Sequence, residues 1–495
     1  MPTIIPRWEW RTFGARFGSA EAAFAALTPG AVQESDELYL LSGAGDNVKV
    51  RDDLMDIKVL QEVNDDGLQR WTPVMKAAFP LAAPDVARVF EALRLPTPAL
   101  GRDGYTLDQF VTELAGPSAL RAVHVHKRRV RYTVGGCTSE VSDVVADGRA
   151  TRTIAIESED AAAVIAAVRS VGLGDYLNTD YPRGLAALLD GIPERYAVID
   201  VGTNSIKFHV AERAHGGWRT VIDRAELTRL GEGLEEHGII APEALDRTAA
   251  AIAGMVDEAK RHDARAIAAV GTAGLRIARD SAEAIAAIAS RTGVTVEVIP
   301  GQEEGRLAYL AVKSGLGLAR GSLVVFDTGG GSTQFTFGRD ADVAERFSVD
   351  VGAVRYTERF GLDRAVSAEV LGEALAAIAV DLSRIDGRPT PDVLVGMGGA
   401  ITNLTAVKHA LATYDPDVVQ GSTLERAEVD RQVERYRSMD AAGRRSIVGL
   451  QPKRAEVILA GACIVRTVMD KLGKDALTVS DRGLRHGVLA ERFGS

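Results

Sequence analysis

Asp200-Val-Gly-Thr-Asn-Ser205 and Asp327-Thr-Gly-Gly-Gly-Ser-Thr333 are the stretches on which the reading of this chain turns. Each follows a short apolar run (Tyr196 to Ile199; Leu323 to Phe326) that reads as a buried strand. Each leads into alternating residues that read as the second strand of a hairpin. An aspartate at a strand end can hold a hydrated magnesium ion, and glycines after it let the backbone turn sharply and aim N–H groups at phosphate oxygens. A single turn of this kind is a common strand connection. Two of them predict a clamp for a phosphate chain, with Asp200 and Asp327 on the metal side. The phosphate-facing backbone would be Gly202, Thr203, Asn204 and Ser205 in one turn, and Gly329, Gly330, Gly331, Ser332 and Thr333 in the other.

Outward from these turns, the same order of elements occurs twice. Strands are predicted at Tyr196–Asp200, Ile206–Arg213 and Trp218–Glu226, and again at Ser322–Asp327, Thr333–Gly338 and Glu345–Val351. Amphipathic helices follow, at Pro242–His262, Ser281–Arg291, Ser367–Ile385 and Arg454–Leu472. Interleaved strands and helices mean α/β architecture, and the repeat means two similar lobes, over residues 193–320 and 321–495, with a cleft between the aspartate turns.

Three further segments point to the same chemistry. Gly271-Thr-Ala-Gly-Leu-Arg276 follows an apolar strand and offers small residues for close approach, with Arg276 for bidentate phosphate contact. Val298-Ile-Pro-Gly-Gln-Glu-Glu-Gly-Arg306 feeds a helix that begins with paired carboxylates, one of which could polarise a water. For the pair alone, a solvated helix start is the competing explanation, since carboxylates suit that end of the dipole. Gly396-Met-Gly398-Gly399 again joins an apolar strand to a helix and brings backbone within reach of a phosphate.

Taken together, DVGTNS, GTAGLR, PGQEEGR, FDTGGGST, DVGAVR (350–355), GMGGAITNLTA and VSDRGLRHG (479–487) resemble, in order, the exopolyphosphatase/guanosine pentaphosphate phosphohydrolase (Ppx/GppA) family over residues 193–495. The resemblance implies the two-lobed actin-like fold (ASKHA, ribonuclease H-like). It also implies metal-dependent release of the terminal phosphate from polyphosphate or pppGpp, with Mg²⁺ as cofactor and Mn²⁺ as the alternative. By position, Glu304 matches the catalytic base, Asp200 and Asp327 the metal-side aspartates, and Arg276 the phosphate-binding arginine. The family usually places a second glutamate after GGGST, and this chain has Gln334, whose amide can orient a water but cannot take its proton. Gln334 leaves two readings open: an enzyme with an altered water site, or a non-catalytic sensor that only binds polyphosphate or an alarmone.

Upstream of Asp190-Gly-Ile-Pro-Glu-Arg195, a turn-rich break, strands dominate: Trp8–Phe13, Glu37–Leu41, Asn47–Arg51, Met55–Gln61, His124–Val134, Ser139–Val145 and Thr151–Glu157. Helices are predicted at Ser19–Leu27, Pro84–Leu93, Leu107–Leu114 and Ala161–Val171. An antiparallel sheet closed into a barrel follows. Cations recur at period two (Lys49 and Arg51, Lys58, then Lys127, Arg129 and Arg131), and carboxylates (Glu140, Asp143, Glu157, Glu159) lie on later strands. Residues 1–187 are similar in this order to the CYTH, or triphosphate-tunnel, family. Its usual opening ExExK is replaced here by Arg7, Glu9 and Arg11, which favours anion binding over metal chemistry. The resemblance implies polyphosphate binding by Arg11, Lys49, Arg51, Lys58, Arg129 and Arg131.

The bulk numbers exclude several alternatives. At 495 residues the chain needs two or three domains, and a net charge of −10 argues against a general nucleic-acid binder. One basic cluster, from His124 to Arg131, stands against that acidic background. The two cysteines, Cys137 and Cys463, suggest neither a disulfide framework nor a zinc site. With no leader-like start and no membrane-length apolar run, the expectation is a cytoplasmic phosphohydrolase acting on polyphosphate or pppGpp, with no membrane or nucleic-acid partner. A homodimer is compatible with this reading.

Overall fold

The computed structural model describes residues 5–116, 119–203, 205–214, 217–318, 321–340 and 342–494. The chain separates into two compact units, residues 1–297 with 491–495, and residues 298–490.

Among the described residues of the first unit, eight antiparallel strands close into a barrel: β1 (Arg7–Gly14), β2 (Val32–Leu41), β3 (Asn47–Arg51), β4 (Leu54–Val63), β5 (Gln69–Ala78), β8 (Arg121–Val134), β9 (Cys137–Ala146) and β10 (Arg149–Ser158). A two-stranded pair, β6 (Leu81–Ala82) with β7 (Gly104–Tyr105), lies outside it. The order around the barrel is β1-β10-β9-β8-β2-β3-β4-β5, and closure comes from β5 pairing with β1, Glu9 opposite Gln69. Alternation explains how one sequence serves two surfaces. On β3, Val48 and Val50 join an outer core with the helix Ala83–Ala92, while Asn47, Lys49 and Arg51 line the interior. The helix Tyr181–Asp190, N-capped by Asp180, packs Tyr181, Leu185 and Leu189 against Phe13, Tyr39, Leu41, Val123 and Val125. An apolar core therefore fills one part of the barrel, and a polar cavity of about 520 Å³ occupies another.

β5 is absent from the sequence-based strands because Pro73 demotes its run. The structure accommodates Pro73 opposite Lys58, where the ladder with β4 shifts register.

The rest of the first unit is a five-stranded sheet, in the order β13 (Gly217–Leu227), β12 (Ser205–Ala214), β11 (Arg195–Val201), β14 (Ala264–Gly271) and β15 (Val296–Val298). β11 is antiparallel to β12 and parallel to β14. A connecting segment joins this sheet to the barrel. Asn178 accepts from the Arg11 amide at 2.7 Å and Thr179 N–H donates to the Arg11 carbonyl at 2.8 Å. On its other flank, Leu177 N–H donates to the Arg265 carbonyl and Ile267 N–H to the Asp175 carbonyl, each at 2.8 Å. Phe493 stacks on Tyr196 and meets the Tyr176 ring edge-on, closing the same junction.

The second unit repeats the plan. Its sheet runs β18 (Asp342–Val349), β17 (Thr333–Arg339), β16 (Ser322–Thr328), β19 (Val393–Met397), β21 (Ala476–Ser480), β20 (Thr423–Glu425). Again an antiparallel three-strand meander continues into parallel strands. The buried helix Ile458–Lys471 and the helix Gly399–Lys408 cover one side, with Phe326, Phe335 and Ile401 in the core between.

Candidate active-site residues

In the first unit, Asp200 lies one residue before the end of β11 and is buried, with Lys207 directly across the hairpin donating to its carboxylate at 3.3 Å. The turn closes through Gly202 N–H to the Ser205 carbonyl at 3.1 Å. Asn204 lies outside the described residues. Thr203 is clasped from two sides: its carbonyl accepts from Gly231 N–H at 2.8 Å, and Gly274 approaches so closely that a Cβ there would lie 3.2 Å from the Thr203 Cα. The GTAGLR segment is thus packed on the DVGTNS turn. Thr272 N–H donates to the Val201 carbonyl at 3.1 Å, and Arg276, half-buried, sits in the short helix Ala273–Ile277 that follows. Two sequence motifs 71 residues apart meet because β11 and β14 are parallel neighbours, Val201 beside Gly271.

In the second unit, Asp327 lies one residue before the end of β16, half-buried. Gly329 N–H closes the glycine turn on the Ser332 carbonyl at 2.9 Å. The DVGAVR helix holds that turn from behind, with Ala353 and Val354 N–H groups donating to the carbonyls of Gly329 and Gly330 at 3.0 and 2.9 Å. Thr333 is fully buried, its hydroxyl donating to the Val351 carbonyl at 2.6 Å. With those carbonyls engaged, the loop is held from behind.

Gly398 adopts φ +93°, and a Cβ there would fall 2.3 Å from the Asp327 carboxylate. Only glycine lets the GMGG loop lie against that carboxylate. Gly399 in turn abuts the Arg454 guanidinium, 2.5 Å from where its Cβ would be. Burial lowers the Arg454 pKa and the Asp327 carboxylate pulls it back up. The Arg454 Nε is buried without a hydrogen-bond partner among the described residues. Sequence reasoning had placed Arg454 only at a helix start. A cation in the Pro452–Arg454 turn carries no motif of its own, and the fold alone brings it to Asp327.

Glu304 lies in the first turn of the helix Gly301–Leu316, and the Gln334 amide donates to its carboxylate at 3.4 Å. Gln334 stands directly across the hairpin from Asp327, as Lys207 stands across from Asp200. The two paired carboxylates of this helix separate in role: Glu303 bonds Arg306 at 2.9 Å, one turn along its own helix, whereas Glu304 faces β17.

In the barrel, Arg11, Lys49, Arg51, Lys58, Arg129 and Arg131 all line the cavity, together with Arg7 and Lys127, and against four carboxylates, Glu9, Asp56, Glu140 and Glu157. The basic run from His124 to Arg131 splits across the two faces of β8. Lys127, Arg129 and Arg131 point inward, while His126 bonds Asp36 at 2.8 Å on the outside. Glu37 is buried beside the cavity and accepts from Lys49 at 3.0 Å and Lys127 at 2.7 Å. Burial would raise the Glu37 carboxyl, but the two ammonium groups hold it well below the ordinary carboxylate range. Burial would likewise raise Glu140, yet the Arg11 and Arg129 guanidiniums bring it down to about 2.

Among the described residues, no helix is long and apolar enough to cross a membrane. The sequence profile of the Ppx/GppA phosphatase family matches residues 209–495. An exopolyphosphatase 2 of Mycobacterium tuberculosis is 31% identical over 324 residues, covering 61% of this chain and 99% of that protein. A guanosine-5'-triphosphate,3'-diphosphate pyrophosphatase of Photobacterium profundum is 28% identical over 60% of this chain and 59% of its own length. A solved Aquifex aeolicus Ppx/GppA phosphatase superposes with a TM-score of 0.56 at 31% identity, over 61% of this chain and 99% of that one.

Proposed function

The chain belongs to the Ppx/GppA phosphatase family, and from that membership we propose that it is a cytoplasmic exopolyphosphatase-type phosphohydrolase. Its substrate would be inorganic polyphosphate, with pppGpp as a second one, and its product the terminal phosphate. The observation that carries this is the placement of Glu304 beside Gln334, across the hairpin from Asp327 and at the edge of the Gly329–Gly331 turn.

From the family resemblance we assign a divalent cation, magnesium or manganese, to the aspartate turns, where Asp200 and Asp327 each offer a carboxylate near a strand end. The fit rests on carboxylate oxygen donors and on Gly398, whose missing Cβ keeps that loop from displacing the Asp327 carboxylate. When bound, such a cation supplies charge neutralisation on the phosphoryl oxygens. The backbone N–H groups of Gly330, Gly331 and Ser332 would receive oxygens of the terminal phosphate, and Arg276, which matches the family's phosphate-binding arginine, would contact a phosphate from its own unit. Glu304 would take a proton from the attacking water as its oxygen bonds to phosphorus, while the bond to the leaving phosphate oxygen breaks and that oxygen keeps the electron pair. Gln334 would orient the water and keep the Glu304 carboxylate in place.

Residues 1–187 would serve as a polyphosphate-binding domain, raising the local concentration of the polymer. The test is phosphate release from long-chain polyphosphate, pppGpp and tripolyphosphate by the wild type and by Glu304→Gln. We expect release from at least one of them, cut by roughly 10²–10⁴-fold in the variant, the range of general-base catalysis. Near-normal turnover in the variant would remove Glu304 from the chemistry.

A further inference from the structure

The barrel interior departs from what its tunnel-like plan implies. A tunnel of that plan would hold a divalent cation on inward carboxylates, and here each cavity carboxylate already faces a cation of the protein. Arg11 bridges two of them, with Nε 2.7 Å from Glu9 and Nη2 3.0 Å from Glu140. Arg129 lies 2.9 Å from the other Glu140 oxygen. Arg7 pairs with Glu157 at 3.3 Å, and Arg51 stands 4.0 Å from Asp56. The buried Glu37 is saturated by Lys49 and Lys127.

Arg11 cannot step aside cheaply. It is 5% exposed, its guanidinium lies 4.3 Å over the Tyr181 ring, and it also donates to Thr153 at 3.3 Å. A guanidinium does not lose its proton in a protein, so a divalent ion seated between Glu9 and Glu140 would strand a buried positive charge beside it. The carboxylates therefore do not fit a metal. The cations fit an anion: Lys58 and Arg131 line the cavity with no ion-pair partner among the described residues, and cationic side chains outnumber carboxylates two to one around it. A volume of about 520 Å³ suits a short extended ligand.

We propose that the barrel is a metal-independent receptor for a linear oligophosphate, such as inorganic triphosphate or the end of a polyphosphate chain, in which the Arg11 guanidinium permanently occupies the place between Glu9 and Glu140 that a divalent cation would need. This rests on the polyphosphate-binding role given to residues 1–187 above. Forked guanidiniums and ammonium groups would receive the phosphate oxygens directly. No carboxylate there is left to activate water, so the ligand is held and not cleaved.

The test is calorimetric titration of the full chain, in the Glu304→Gln background, with tripolyphosphate, once in excess EDTA and once in millimolar magnesium. We expect binding at least as tight in EDTA, and weakened tenfold or more by Lys58→Glu with Arg131→Glu. Binding that is sensitive to this pair but appears only with magnesium would overturn metal independence while leaving the barrel as the polyphosphate site. Binding indifferent to the pair in both buffers, or no binding, would overturn the barrel's role and the present inference with it. Arg11→Gln, checked for folding by circular dichroism, should make tripolyphosphate binding respond to magnesium. A folded variant with unchanged affinity and unchanged indifference to magnesium would overturn the place given to Arg11.

Discussion

Gln334→Glu is the most informative single substitution, because it changes one charge 3.4 Å from the proposed base. The Gln334 amide nitrogen stands 3.4 Å from the Glu304 carboxylate, and a glutamate would put a second carboxylate oxygen there. Two unit charges at that separation repel by about 5 kcal/mol at an effective dielectric of 20 and by about 1 kcal/mol in bulk water. At about 1.4 kcal/mol per pKa unit, the pair would take up its first proton roughly one to three and a half units above an isolated glutamate. The acidic limb of the pH–rate profile should therefore move upward by about one unit or more. Phosphate release from polyphosphate between pH 5 and 9, at saturating magnesium, reads it directly. The variant should be slower than wild type at pH 6 and converge on it, or pass it, at pH 9. Superimposable profiles would mean that Glu304 is not the group whose ionisation governs the rate.

Gly398→Ala tests the cradle around Asp327: its Cβ would lie 2.3 Å from the carboxylate in a backbone conformation that alanine resists, so phosphate release should collapse while circular dichroism stays native. Acid should weaken the barrel first. The Glu140 carboxyl is held down at about 2 in the folded protein, so the stability it contributes is present above its unfolded value and lost as pH falls from about 4.5 toward 2. That contribution is on the order of 3 kcal/mol. Near-ultraviolet circular dichroism should show Glu140→Gln largely without this acid transition, and an unchanged transition would deny the Arg11–Glu140–Arg129 pairing its role.

What the sequence disclosed follows from where its signals are local. Each aspartate turn joins two strands by a few residues, so hydrophobic runs and glycines mark it without help from the rest of the chain. The predicted strands around Asp200 and Asp327 fall within the observed β11–β13 and β16–β18, apart from Asp350 and Val351, where the prediction runs two residues past β18. Period two likewise told which cations of β3 and β8 share a face. It could not tell what they face. That Arg11 lies between Glu9 and Glu140 depends on β1 and β10 being neighbours, and β10 in turn pairing Ala155 with Glu140. Arg454 reaches Asp327 only through tertiary packing. The helix Tyr181–Asp190 was hidden by its own punctuation: Pro182 and Gly184 read as loop, although proline suits a first helical turn and Asp180 caps it.

The segment from Asp175 to Thr179 ties the strand that carries Arg11 to the strand that leads into Arg276, with main-chain hydrogen bonds on both flanks. These bonds couple the cavity and the Gly271–Arg276 segment within the same compact unit. If the barrel binds polyphosphate as proposed, a chain engaged by both would have to be long enough to bridge the spacing between them. On that reading the splice would make the fused pair a ruler, graduated by the backbone rather than by any side chain.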